Sequence, residues 1–263
     1  MSVTVTRKME IPSTRILGVR VDRVDMKQTL EAAKQFVESG QPHQIVVVNV
    51  AKIVKARSDS ALREVIEGAD LVGADGVPVV WASKLLGCAI PDRVNGTDLM
   101  EELVGLADQN GYRVYFLGAK QEVVERVVET YKMQYANLNV AGYRNGYYSE
   151  DEEEQVALSI RDAGADILLI ALGTPQKEHF AKRYREVMNV PVIHGVGGSF
   201  DVVAGLTKRA PLWMQRAGLE WIYRLCQEPR RMWRRYLITN TVFVGLMVLE
   251  LLRSMGRRGD HVT

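Results

Sequence analysis

Apolar side chains recur along this chain in two rhythms, short unbroken runs and longer stretches at helical spacing, and the two alternate. The run QIVVVNV (44–50) is dense in β-branched residues and predicts a buried strand that ends at Asn49. The same reading applies to LVGA (71–74), YRVYFLG (112–118), ADILLIALG (165–173) and VPVIHG (190–195), each followed by a glycine or a polar turn. Residues 26–40, 96–111, 119–135, 149–164 and 174–188 repeat apolar groups at helical spacing, and 51–70 reads as a helix or two. Residues 16–24, ILGVRVDRV, alternate apolar and polar side chains and predict an edge strand, and NLNVAGYRNGYY (137–148) adds a strand and turn. Thr97 or Asp98 is placed to cap the helix after the polar loop 93–98, and Ser149 with its acidic followers starts another. Strands alternating with helices predict an α/β fold with a mostly parallel sheet flanked by helices. The glycine-bearing turns after Gly118, Gly173 and Gly195 should then converge on one sheet edge, outside the carboxyl ends of the strands.

Length and charge refine this picture. A chain of 263 residues can form one large domain with an appendage, and the boundary is expected between a core of residues 1–206 and a tail of residues 207–263. The net charge of +2 excludes a globally basic nucleic-acid coat, so basic residues act locally. Cys88 and Cys226 have no CxxC spacing, which predicts reduced thiols rather than disulfides or zinc. The opening MSVTVTRKMEIPSTRILG lacks the apolar core of a signal peptide, so a cytoplasmic location is expected. Near the other end, YLITNTVFVGLMVLELL is interrupted by Asn240 and Glu250 and falls short of the roughly 20 apolar residues of a membrane span. It predicts a helix lying in an interface or packed on a partner.

Chemistry concentrates in 192–237. Gly195, Gly197 and Gly198 let backbone amides approach an anion, and Ser199 and Asp201 follow as polar groups. Lys208, Arg209, Arg216, Arg224, Arg230, Arg231, Arg234 and Arg235 are then interleaved with Trp and Tyr. Such a tail suits a solvated helix face, a nucleic-acid patch or a clamp for membrane-linked phosphate, and the apolar segment behind it favours the last. Arg224, Arg231 and Arg234 fall at spacings of seven and three, one face of a continuous helix unless Pro229 restarts it. Asp75, beside Gly76 at a strand-to-helix turn, is either a general base in a cleft or a turn former. Arg93 and Asp98 are ligand contacts or a loop salt bridge, and Gln176, Lys177 and Glu178 open a helix where Lys177 can meet a phosphate. His194 reads as a core-edge histidine before a base. No His, Cys or carboxylate spacing suggests a bound metal, no cofactor is expected, and neither a P-loop nor a G-x-S-x-G elbow is present.

Eight segments in register resemble the WecG/TagA/CpsF glycosyltransferase family: ILGVRVDRV, the strand ending at Asn49, the ADG at Asp75, PDRVNGTDLM, FLGAKQEV, ALGTPQKEHF, GVGGSFDVVAGLTKRAP and EWIYRLCQEPRRMWRR. The resemblance covers almost the whole chain. It implies a Rossmann-like core with a C-terminal helical appendage docking at the inner face of the cell membrane. It also implies inverting, metal-independent transfer of a sugar, of N-acetylmannosaminyl type, from a UDP-sugar to a polyprenyl-diphosphate-linked sugar, with homo-oligomers possible and no nucleic-acid partner. Asp75 matches the family's base, Arg93 a pocket arginine, and Arg224, Arg231 and Arg234 the appendage arginines that neutralise diphosphate. Asn49, Gly118, Gly173, Gln176, Lys177, Gly197, Gly198, Ser199 and Asp201 are expected to hold substrate. Val47 stands where many members have Thr, and Gln176-Lys177-Glu178 where many have Lys-Gln-Glu. These departures leave other hexosyl donors open, and either Gln176 or Lys177 to take the glutamine's role. The competing class is a non-catalytic nucleotide- or nucleic-acid-binding module.

Overall fold

A computed structural model describes residues 11–259, apart from the side chains of 231, 232, 235 and 254–259. The first ten residues of the opening segment and the side chain of Arg231 therefore lie outside the described residues.

Six strands form one parallel sheet: β3 (His43–Val48), β4 (Leu71–Ala74), β5 (Arg113–Gly118), β6 (Asn139–Arg144), β7 (Ile167–Ala171) and β8 (Val192–Gly195), in the order β4-β3-β8-β7-β5-β6. Their unbroken apolar sequences follow from burial on both sides. Ile45 and Val47 of β3, Val114 and Phe116 of β5, and Ile167 and Leu169 of β7 face one core. That core is closed by α1 (Met26–Ser39), α5 (Gly96–Asn110), α6 (Gln121–Gln134) and α9 (Ser199–Val203). Alternate residues face the other side, where Tyr115, Leu117, Leu168 and Ile170 meet α7 (Glu153–Ala163) and α8 (Gln176–Met188). Val46, Val48 and Val72 meet α2 (Val50–Ala56), α3 (Ser60–Gly68) and α4 (Val77–Leu85) there. Burying each such side chain is worth about 1.5–3 kcal/mol, so the sheet registers are strongly specified.

Within the segment 16–24 the expected strand is Val19–Asp22, and it belongs to a separate two-stranded hairpin rather than to the parallel sheet. Strands β1 (Ser13–Ile16) and β2 (Val19–Asp22) pair antiparallel around Leu17 and Gly18, whose φ angles of 51° and 84° make the tight turn. Asp22 accepts the Val72 amide at 2.8 Å and ties this hairpin to β4. Asp59 caps α3, which divides residues 51–70 into two helices, and Asn95 rather than Thr97 or Asp98 caps α5.

Beyond α9 come α10 (Leu212–Arg216), α11 (Glu220–Gln227) and α12 (Pro229–Gly259). The helix does break at Pro229, so Arg224 belongs to a different helix from Arg234. Helix α12 has 31 residues, and its window Tyr236–Arg253 is long and apolar enough to cross a membrane. Phe243 and Met247 fasten it to the core beside α2, while Leu237, Ile238, Val242, Leu249 and Leu252 stay exposed.

Gly118 ends β5 at φ 124°, and a Cβ there would lie 2.5 Å from the Ala171 carbonyl oxygen. Gly118→Ala is expected to cost at least about 2 kcal/mol of stability. Urea unfolding would measure it, and an unchanged midpoint would refute this account of the glycine.

Candidate functional site

The register of β3 against β4 aligns Val48 with Ala74, so the residues that follow, Asn49 and Asp75, emerge side by side at the carboxyl edge. Asn49 caps α2 by accepting the Lys52 amide at 3.0 Å on its side-chain oxygen, and its Nδ2 donates to Asp75 Oδ2 at 3.3 Å. Asn95 caps α5 in the same manner, accepting the Thr97 amide at 2.9 Å and donating to Asp75 Oδ1 at 3.2 Å. Each amide oxygen is committed to a helix, which turns each NH2 toward the carboxylate. Gly76, at φ 107°, lets the chain leave Asp75 directly into α4.

Two cavities meet at this carboxylate. A polar one of about 730 Å³ opens at the ends of β3, β7 and β8, and is lined by Gly173, Lys177, Gly197, Gly198, Ser199 and Asp201 among others. An apolar groove of about 620 Å³ runs between α4, α11 and α12, walled by Trp81, Leu85, Phe243, Val244, Met247 and Val248. Asn49, Asp75, Asn95 and Arg224 border both. Arg93 lines the groove, where Glu220 links it at 3.9 Å to the α11 residue Arg224, itself 3.3 Å from Glu220.

The remaining candidates separate. Gln176 and Arg234 are exposed and Gly118 is committed to the β5–β7 approach; none of the three lines either cavity. Asp98 pairs with Arg209, the loop salt bridge, and Arg209 also reaches Asn95 Oδ1 at 3.5 Å. Ser199 Oγ donates to the Val196 carbonyl at 2.8 Å and lies 2.9 Å from Thr97 Oγ1. Among the described residues no trio of His, Cys, Asp or Glu is grouped to hold a metal ion.

Several participants carried little local signal. Asn95 is passed over in the sequence reading in favour of Thr97 and Asp98, although an asparagine ahead of Gly-Thr-Asp is a capping signal, and nothing local points it at Asp75. Lys52 is an ordinary helix lysine in sequence; folded, its Nζ donates to the Val47 carbonyl at 2.8 Å and pairs with Glu178 at 2.9 Å. Burial alone would push the Glu178 carboxyl up, but the ammonium groups of Lys52 and Lys177 outweigh it and hold that carboxyl below the usual range. His194 lines neither cavity; it is fully buried with Nδ1 3.1 Å from the Ile45 carbonyl. Desolvation pushes it down to about 4, so it is a neutral core residue at neutral pH.

The chain matches the Glycosyl transferase WecG/TagA/CpsF family over residues 14–257. It is 36% identical over 204 residues to an N-acetylglucosaminyldiphosphoundecaprenol N-acetyl-beta-D-mannosaminyltransferase of Bacillus subtilis (strain 168), covering 78% of each chain. It is 39% identical over 193 residues to the protein of the same name from Bacillus spizizenii (strain ATCC 23059 / NRRL B-14472 / W23), covering 73% of this chain and 74% of that one.

The buried His194 makes stability depend on pH. Between about 4 and 6.5 the unfolded chain binds the proton that the folded protein refuses, so stability is lost as pH falls through that window. The loss should approach about 3 kcal/mol between roughly pH 7 and pH 4. Urea titrations across that range are expected to show a shallower pH slope in His194→Leu than in wild type; equal slopes would exclude His194 as the source.

Proposed function

This chain belongs to the WecG/TagA/CpsF family of glycosyl transferases, and we propose that it moves a hexosyl or N-acetylhexosaminyl residue, of N-acetylmannosaminyl type, from a UDP-sugar to a polyprenyl-diphosphate-linked sugar. One observation carries the reading: the Asp75 carboxylate borders both the polar cavity and the apolar groove. A transferase must bring a polar donor and a lipid-borne acceptor hydroxyl to one base, and these cavities differ in the required sense. The Bacillus relatives' names specify a diphosphoundecaprenol-linked acceptor.

In this mechanism the donor occupies the polar cavity, with the Gly173 and Gly197 turns at its diphosphate. The acceptor's diphosphate lies near Arg93 and Arg224, and its first isoprene units follow the groove between α4 and α12. Asp75 takes the proton of the acceptor hydroxyl as its oxygen attacks the anomeric carbon. The bond from that carbon to the β-phosphate oxygen breaks on the opposite side, UDP departs, and the configuration inverts. The two asparagine amides hold Asp75 through the cycle, each by one hydrogen bond from uncharged nitrogen. Residues 207–263 form the appendage in this reading. The exposed apolar side of α12, together with the exposed Arg230 and Arg234, docks on the anionic inner face of the cell membrane.

Asp75→Ala is expected to lower turnover by about 10²- to 10⁴-fold, while UDP-sugar binding, read as thermal stabilisation, persists; near-normal turnover would remove Asp75 as base. A panel of UDP-glucose, UDP-GlcNAc, UDP-ManNAc and UDP-glucuronate, each with and without a short-chain polyprenyl-diphosphate sugar, should yield UDP from one donor and only with acceptor. No stabilisation by any donor would refute the reading. Ile238, Val242 and Leu249 share one exposed side of α12 away from the groove lining. The double variant Ile238→Asp/Leu249→Asp should lose binding to anionic vesicles yet still act on a soluble short-chain acceptor; undiminished vesicle binding would exclude docking by this side.

A further inference from the structure

Two buried lysines line the polar cavity, Lys52 of α2 and Lys177 at the start of α8, and the buried Glu178 of α8 pairs with both. Lys52 and Lys177 are each 8% exposed and Glu178 is 2% exposed. Lys52 Nζ stands 2.9 Å from Glu178 Oε1 and Lys177 Nζ 3.8 Å from the same oxygen. One carboxylate thus faces two ammonium groups. Lys177 is also aimed. A Cβ on Gly195 would lie 2.9 Å from its Cδ, and a Cβ on Gly197 would lie 3.1 Å from its Nζ. The lysine stem therefore runs along the glycine at the end of β8 and delivers its ammonium to the Gly197 turn, on the cavity wall.

Resting on the UDP-sugar reading above, we propose that Lys177 is the cation that receives the leaving diphosphate, and that Lys52 is a positioning residue that acts by taking Glu178 as its own ion-pair partner. When the bond between the anomeric carbon and the β-phosphate oxygen breaks, its electron pair stays on that oxygen. The Lys177 ammonium stabilises the new charge, and no proton need pass to the leaving group. The order Gln176-Lys177-Glu178 puts the cation at the buried cavity position and leaves the amide exposed.

Calorimetric titration of the full chain with UDP, uridine and inorganic pyrophosphate tests this. Lys177→Met is expected to weaken UDP and pyrophosphate binding by roughly 10- to 100-fold and to leave uridine binding unchanged, which a general loss of structure would not do. Lys177→Arg, which keeps the charge, should stay close to wild type. Lys52→Met should also weaken UDP, because Glu178 then draws on Lys177 alone. Removing the ion pair as a unit, in Lys52→Met/Glu178→Gln, should bring UDP affinity back to within roughly threefold of wild type. A Lys177→Met protein that binds UDP as wild type does, or a wild type that binds neither UDP nor pyrophosphate, would overturn the clamp. A double variant as weak as Lys52→Met would overturn the positioning role of Lys52. Pyrophosphate binding that depends on Lys177, with no added affinity for UDP, would support the clamp and instead refute the uridine-nucleotide donor.

Discussion

One carboxylate at the sheet edge is held between two helix caps. Asp75 receives Asn49 Nδ2 at 3.3 Å and Asn95 Nδ2 at 3.2 Å. Those amides point at it because their oxygens are already occupied in starting α2 and α5. Such an arrangement needs no dedicated scaffold. Strand register sets Asn49 beside Asp75, and the loop from α4 to α5 brings Asn95 to the other carboxylate oxygen. Moving β3 by one residue against β4 would swap its side chains between two differently packed cores, so packing on both faces guards the alignment of Asn49 with Asp75.

The same sheet edge separates a polar cavity from an apolar groove. On one side, the buried Lys52 and Lys177 line a polar cavity and both pair with Glu178. On the other, α4 and α12 present Trp81, Leu85, Phe243 and Met247 to a groove that water fills poorly. The Arg93–Glu220–Arg224 chain of ion pairs crosses between core and tail at the boundary. Helix α12 thereby serves twice, its Phe243 and Met247 closing the core while Ile238, Val242 and Leu249 remain outside. A helix apolar over most of its circumference but buried on one narrow stripe has surface left for a second apolar medium.

Much of this was legible in the chain before folding. The β-branched runs determined the parallel strands, because only a sheet covered on both faces can bury unbroken apolar sequence. Glycine after strand, then a helix start, located the edge where the polar cavity opens, and the register of eight family segments pointed to the glycosyl transferase family. Asp75, Asn49 and the Gly197 turn stood out because strand ends are short and their polar residues few. The strand expected over 16–24 forms only at Val19–Asp22, because a Leu-Gly turn is hidden inside the alternating pattern, and across 224–234 the restart at Pro229 is the alternative that occurs.

What the tertiary structure alone decided is which residues meet. Lys52 and Glu178 are 126 positions apart and form an ion pair at 2.9 Å, and Arg93 and Glu220 come from core and tail. Sequence spacing reports neighbours within one helix or strand, and carries nothing about side chains brought together by crossover connections. Gly118 illustrates the converse: its local pattern matched a phosphate turn, yet the space it leaves is filled by the backbone of Ala171. Periodicity and turn chemistry, being local, fixed the fold and its open edge; partner choice at that edge is a matter of packing, and only the assembled sheet settles it.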